Sequence, residues 1–204
     1  MATDLSDWLG QVVEEALEPE LPICDAHHHL WDRATSRYLV EDLVADASDH
    51  NVVSTVFVEC MASYREDGPE AMKPVGETVF IDGTAGESDG DASVCMACSA
   101  AIVGYADLRL GRDVLPVLEA HVEASDRFRG TRHGVGWDAS PDVPISHTKP
   151  KPGLLMDATF REGFACLGEQ GLLFDSYLYH TQLLELVDLA QTFPEQVIIL
   201  NHFG

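Results

Sequence analysis

Short apolar runs rich in Val, Ile and Phe alternate with amphipathic stretches along nearly the whole chain. Continuous apolar runs of this length are typical of strands buried in a parallel sheet, and the amphipathic stretches between them have the length and periodicity of helices. The predicted strands cover residues 23–26, 52–58, 101–106, 128–135, 172–176 and 197–201. The predicted helices cover residues 40–47, 75–81, 112–124, 158–169 and 182–192.

This alternation predicts a particular α/β architecture. Six strand and helix units in 204 residues give roughly 34 residues per unit, close to the value for a (β/α)8 barrel of about 250 residues. The sequence contains neither GxGxxG after the first strand nor GxxxxGK, the phosphate-binding patterns of doubly wound nucleotide-binding sheets. We therefore expect one domain over residues 1–204, an incomplete (β/α)8 TIM barrel with about six units, truncated after the sixth strand.

Two segments interrupt the alternation. Residues 61–99 are rich in Gly, Asp, Glu and Ser, and residues 136–153 contain four prolines. Both follow predicted strands, which is the side where parallel α/β folds place their sites. We expect long loops there, and long loops in compact domains are often functional.

A histidine-rich run directly follows the first predicted strand. Residues 25–32 read Asp-Ala-His-His-His-Leu-Trp-Asp. Successive side chains of a strand alternate between faces, so His27 and His29 can point the same way while His28 points the other way. Two imidazoles on one side can bind a metal ion or a polar substrate. A solvated surface loop is the alternative, and the other strand ends bear on the choice.

Ionisable or polar residues end nearly every predicted strand, and in a barrel the carboxyl ends of all strands converge on one rim. In chain order they are Asp25, His27 and His29; Glu59; Asp107 and Arg109; Arg132 and His133; Asp175 and, a few residues on, His180; and Asn201 and His202. Ordinary surface or helix-capping roles stay open for Glu59, Arg132, His133 and His180. No role is assigned to His50, His121 or His147.

Four motifs in this order resemble one enzyme family. They are DAHHHLWD at 25–32, FRGTRH at 128–133, LYH at 178–180 and LNHFG at 200–204. The sequence is similar, from about residue 23 onward, to the amidohydrolase-related ("amidohydrolase 2") group of TIM-barrel metal-dependent hydrolases. That group includes lactonases and decarboxylases, so the motifs are specific for the superfamily and not for a substrate.

The resemblance implies roles for individual residues. His27, His29 and His180 match positions that bind a divalent metal, most often zinc, although the lactonase branch is reported to need none. His202, Arg132 and His180 are then the catalytic candidates, and Glu59, Arg132 and His133 the substrate-binding ones. The family also has an aspartate on an eighth strand, which these 204 residues do not include. The chain is therefore expected to be a fragment of a longer protein or a truncated product.

The expected function is that of an amidohydrolase-superfamily hydrolase opening a lactone or similar carbonyl ester of a small organic or sugar acid. A metal-dependent decarboxylase of the same family is the first alternative, because it uses the same histidines. An inactive truncated fragment is the second. Small molecules are the expected substrates in each enzymatic case.

Composition limits the partners and the compartment. Thirty-five acidic residues against 12 basic ones give a net charge of −23, which disfavours nucleic acid and anionic membranes as partners. The chain has an acidic N-terminus and no apolar run of the roughly 18 residues needed to cross a membrane, so a cytoplasmic protein is expected, with its oligomeric state open. Five irregularly spaced cysteines make a disulfide framework unexpected, and Cys95 and Cys98 lack the second CxxC of most zinc sites.

Overall fold

The computed structural model describes residues 10–12, 14–91, 94 and 96–202, and eight strands occur in that part of the chain. In chain order they are β1 (Ile23–His28), β2 (Trp31–Arg33), β3 (Ser36–Tyr38), β4 (Val52–Val58), β5 (Ala97–Gly104), β6 (Phe128–Arg132), β7 (Leu173–Ser176) and β8 (Ile198–Leu200). Five α-helices alternate with them: α1 (Val40–Asp46), α2 (Val75–Asp89), α3 (Leu115–Ala124), α4 (Ala158–Glu169) and α5 (Leu183–Thr192).

Six strands form one parallel sheet. Its order is β1-β4-β5-β6-β7-β8, so strands that follow one another along the chain also lie side by side. A sheet wound in one direction with a helix after each of its first five strands is a curled half-barrel, as six units of a (β/α)8 barrel require. The predicted incomplete TIM barrel is confirmed. The carboxyl ends of all six strands face the same edge.

The helix after β4 is about twice as long as the sequence predicts. The prediction ended at Ile81, whereas α2 continues to Asp89 through Gly83 and Gly86, which are poor helix formers. Buried Ile81 and Ala85 hold this second half against the core, so tertiary packing overrides the local preference. Within residues 61–99, where a long loop is expected around the predicted helix 75–81, the structure is also helical to Asp89 and extended from Ala97.

Two further differences are local. A hairpin of β2 and β3, which the sequence did not predict, follows the histidine run, and the rings of Trp31 and Tyr38 stack across it at 5.3 Å. The helix predicted to begin at Arg112 begins as α3 at Leu115, because Gly111 has a φ of 58° and interrupts the turn before it. In contrast, residues 136–153 form the long irregular segment that their prolines predict.

The core lies between the sheet and its helices, where the rings of Phe160, Phe164 and Phe174 pack edge to face. Strand β6 approaches β7 so closely that a Cβ atom added at Gly130 would lie 2.2 Å from the carbonyl oxygen of Leu173. Only glycine fits there.

No helix in the described ranges is long and apolar enough to cross a membrane.

Replacing Gly130 by alanine tests this close approach. We expect Gly130→Ala to lower the free energy of unfolding by about 1–3 kcal/mol, because β6 and β7 must separate to admit the methyl group. Gly83→Ala is the matched control, since nothing lies within 4 Å of its Cβ position and alanine there should add about 0.5–1 kcal/mol to helix α2. Urea unfolding of the two variants measures both effects. Equal stability of the two variants would contradict the close-packing argument.

Candidate active site

The histidine pair lies at the carboxyl edge of the sheet. The Nε2 atoms of His27 and His29 are 3.2 Å apart, and the rings meet edge to face. His29 Nδ1 lies 2.7 Å from the carbonyl oxygen of Val58. A carbonyl only accepts, so Nδ1 carries the proton and Nε2 of His29 presents a lone pair. His28 turns away as predicted and hydrogen-bonds through Nε2 with Thr55 Oγ1 at 2.9 Å.

A buried ion pair lies beside these imidazoles. Arg132 Nε donates to Glu59 Oε1 at 2.9 Å, and Arg132 Nη2 donates to the Glu59 carbonyl oxygen. The side chain of Glu59 is fully buried and that of Arg132 is 11% exposed. Arg132 Nη1 also lies 3.4 Å from His27 Nε2. Because a guanidinium only donates, His27 Nε2 is the acceptor in this contact, and its lone pair is directed at Arg132.

The ends of β7 and β8 support the same cluster. Asn201 Nδ2 donates to the buried Asp175 Oδ1 at 2.6 Å. The ring of His202, the next residue, lies 5.1 Å from that of His27 and 5.7 Å from that of Tyr177. Side chains from the ends of β1, β4, β6, β7 and β8 therefore lie close together at one edge of the sheet.

Burial controls the protonation of the site. Desolvation, reinforced by the nearby charges of His29 and Arg132, lowers the pKa of His27 to about 4, while a hydrogen bond with Asn201 acts in the opposite direction. Desolvation also lowers the pKa of His29. Burial raises the pKa of Asp175. Both imidazoles are therefore neutral at neutral pH, the form that coordinates metal ions.

The histidine pair fits two positions of a divalent metal site. Two nitrogens bound to one tetrahedral zinc ion at about 2.1 Å lie roughly 3.4 Å apart, close to the observed 3.2 Å. Both Nε2 atoms lack a proton, so each can offer its lone pair to a cation, and at His27 that cation would replace the contact with Arg132 Nη1. Yet no three His, Cys, Asp or Glu side chains within the described ranges are arranged to hold a metal ion. The pair would supply two ligands of a metal site, not a closed site.

Two predicted site residues lie apart from the cluster. His133 follows Arg132 and so points to the other side of β6, where it is fully buried between the rings of Tyr105 and Phe160. Its Nδ1 accepts from the Leu108 amide at 3.3 Å, and burial lowers its pKa to about 4. His180 begins the short 3₁₀ helix after β7 and is exposed. Neither is brought to the histidine pair, and their assigned roles stay predictions.

The predicted strand-end pair Asp107 and Arg109 forms an ion pair of its own after β5, with 2.7 Å between Arg109 Nε and Asp107 Oδ1.

Of the CxxC cysteines, Cys98 is buried and Cys95 lies outside the described residues.

A second buried carboxylate shapes the loop that follows Glu59. Glu77 Oε1, on helix α2, accepts from the amides of Cys60 and Ala62 at 3.0 and 2.7 Å. The same loop contains Met61 and Ser63 at φ values of 60° and 52°, a left-handed conformation that side chains adopt only when surrounding structure imposes it. Glu77 thereby stabilises the backbone that positions Glu59.

His147 is a site residue that the sequence did not single out. It belongs to the segment 136–153, and its Nε2 lies 4.0 Å from Glu59 Oε2. Hydrogen bonds hold this segment beside the strand ends, including those from the Thr148 hydroxyl to the Gly134 carbonyl and from Arg109 Nη1 to the Thr148 carbonyl at 3.0 Å. Its length and position after β6 indicated a functional loop, but no local pattern distinguished His147 from its neighbours.

Comparison with known proteins identifies the family. The model of the amidohydrolase family matches residues 24–204, and the chain belongs to that family. It is 30% identical over 207 residues to the uncharacterized protein y4mH of Sinorhizobium fredii, an alignment that spans 91% of this chain and 63% of the relative.

Solved structures agree on the fold. A crystal structure of an amidohydrolase from Burkholderia multivorans with bound HEPES has a TM-score of 0.58 and 21% identity, over 87% of this chain and 55% of that one. A second crystal form of that enzyme, with bound zinc, has a TM-score of 0.57 at 21% identity, over 86% and 55% of the two chains. Amidohydrolase 2 from Bifidobacterium longum subsp. infantis has a TM-score of 0.50 at 18% identity, over 87% and 60%. The chain thus spans less than two thirds of the length of each of these relatives.

The free energy of unfolding should depend on pH through Glu77, which holds the loop after β4. Burial raises the pKa of Glu77 from 4.5 to about 7. Because the folded pKa is the higher one, the stability it contributes is complete below pH 4.5 and is lost as the pH rises through 7. Glu77→Gln stays neutral, so relative to the wild type it should gain about 2–3 kcal/mol in free energy of unfolding between pH 5 and pH 8.

Denaturant unfolding at the two pH values measures this gain. Glu87→Gln, on the exposed side of the same helix, is the matched control and should show little difference. If the stability of Glu77→Gln follows that of the wild type at both pH values, Glu77 is not the group that titrates.

Proposed function

We propose that the protein is a hydrolase that opens a lactone or a similar carbonyl ester of a small organic or sugar acid. The observation that carries the proposal is the arrangement of two neutral imidazoles, with Nε2 atoms 3.2 Å apart, beside the guanidinium of Arg132. Ester hydrolysis develops negative charge on the carbonyl oxygen, and cationic or hydrogen-bonding groups placed beside that oxygen lower the barrier. Family membership is consistent with this chemistry.

His27 and His29 would hold a divalent ion, and imidazole ligands favour zinc. The zinc-bound Burkholderia multivorans structure supports the same choice. When bound, such an ion polarises a carbonyl and lowers the pKa of a coordinated water to about 7. Arg132 would orient the substrate carbonyl or carboxylate oxygens, and His202, in contact with the His27 ring, would hold or transfer a proton at the leaving oxygen.

Removing either histidine tests this assignment. We expect His27→Ala and His29→Ala each to lower kcat/KM for lactone hydrolysis about a hundredfold or more, and to weaken zinc binding at least about tenfold. His50→Ala is the control, because His50 is exposed and precedes β4. Zinc titration by calorimetry supplies a readout that does not depend on turnover. Full activity in both variants would refute the assigned roles.

A substrate panel separates the proposed hydrolase from its alternatives. Lactones of small acids are assayed beside unsaturated carboxylic acids, with carbon dioxide release measured for the second group. Ring opening of a lactone is the expected result. Release of carbon dioxide alone would favour the decarboxylase, and absence of both reactions together with absence of zinc binding would favour an inactive fragment.

A further inference from the structure

A cavity of about 290 Å³ lies beside the ion pair of Glu59 and Arg132. Its other walls are the end of β6, the loop 136–153 and the two tyrosines that follow β7, Tyr177 and Tyr179. It adjoins the histidine pair through Arg132, which contacts both Glu59 and His27. A substrate reacting at the histidines can therefore extend into this cavity.

The loop wall of the cavity is held in place by several bonds. The Tyr179 hydroxyl donates to the Pro144 carbonyl, and the Thr148 hydroxyl donates to the Gly134 carbonyl. Arg109 Nη1 donates to the Thr148 carbonyl at 3.0 Å. With these anchors on both sides of it, His147 is positioned before any ligand arrives, and such preorganisation lowers the entropic cost of binding.

One polar atom in this wall lacks a partner. Glu59 is fully buried. Its Oε1 accepts a hydrogen bond from Arg132, but its Oε2 has no hydrogen-bond partner among the described residues. An unpaired buried carboxylate oxygen is unfavourable. His147 Nε2, a donor on the loop 136–153, lies 4.0 Å from this oxygen, which is too far for a direct hydrogen bond.

That separation suits one bridging oxygen. An atom placed about 2.8 Å from each of two groups that are 4.0 Å apart forms a bent bridge with two hydrogen bonds of normal length. Glu59 Oε2 can only accept, and His147 with its proton on Nε2 can only donate. The bridging group must therefore both donate and accept, as a hydroxyl does. A ligand carboxylate would be repelled by Glu59, and a ketone could not donate to it.

We propose that Glu59 and His147 form a subsite that binds a hydroxyl group of the substrate. The inference rests on the proposed lactone hydrolysis and makes His147 a specificity-determining residue for it. The Tyr177 and Tyr179 rings, with centroids 6.2 Å apart, and Ile145 give the cavity apolar faces for the carbon skeleton. The site therefore selects a hydroxylated acid lactone over one that lacks hydroxyl groups.

Three variants of the full chain test the subsite. His147→Leu removes the donor, His147→Gln keeps an N–H donor near the Nε2 position, and His50→Leu is the control. Each is assayed with D-glucono-1,5-lactone and with δ-valerolactone, which lacks hydroxyl groups, after subtraction of the spontaneous rates. We expect the wild type to prefer the hydroxylated lactone in kcat/KM. His147→Leu should reduce that preference about tenfold or more, whereas the other two variants retain most of it.

Imidazole ¹⁵N resonances supply a readout without turnover. The His147 signal, assigned by its absence in His147→Gln, should shift on titration with xylitol and not with δ-valerolactone. Hydrolysis of both lactones with no preference, or an unchanged preference in His147→Leu, would overturn the subsite while leaving the hydrolase proposal intact. If the wild type hydrolyses neither lactone, the hydrolase proposal fails, and the xylitol titration alone decides the subsite. No shift there would mean that Glu59 and His147 are bridged by water only.

Discussion

The ion pair between Arg132 and Glu59 is the interaction on which the geometry of the site depends. It joins the end of β6 to the end of β4, and its guanidinium also reaches His27 after β1. Both side chains are nearly inaccessible to solvent. Loss of either partner would leave the other charge buried and unpaired, which is strongly destabilising. The ends of β1, β4 and β6 are thereby joined at the carboxyl edge of the sheet.

This pairing also places a buried cation among the strand ends of a chain whose net charge is −23. The Arg132 charge is neutralised locally by Glu59, so the site carries oriented donors and no large excess charge. Burial keeps His27 and His29 neutral, and Val58 fixes the proton position on His29. The acidic surface elsewhere acts on solubility and on partners, not on this arrangement.

The sequence predicted the sheet and the edge at which its polar strand ends meet, because both follow from periodicity. His27, His29, Glu59 and Arg132 come together since parallel strands present their ends on one side. His133 could not be placed in the same way, because one residue past Arg132 the side chain reverses direction and enters the core. His147 was missed for a different reason: its position depends on how a proline-rich loop folds back over the strand ends, which no local pattern encodes.

The two buried carboxylates near the end of β4 differ in what neutralises them. Glu59 pairs with a guanidinium, whereas Glu77 accepts hydrogen bonds from the backbone amides of Cys60 and Ala62. Desolvation therefore dominates for Glu77, the negative charge of Glu59 adds to it, and the pKa rises to about 7. One carboxylate remains available to pair with Arg132 while the other is largely protonated below that pH. The strained backbone at Met61 and Ser63 is thus held by a group that need not be charged, which avoids a second buried negative charge beside the Glu59–Arg132 pair.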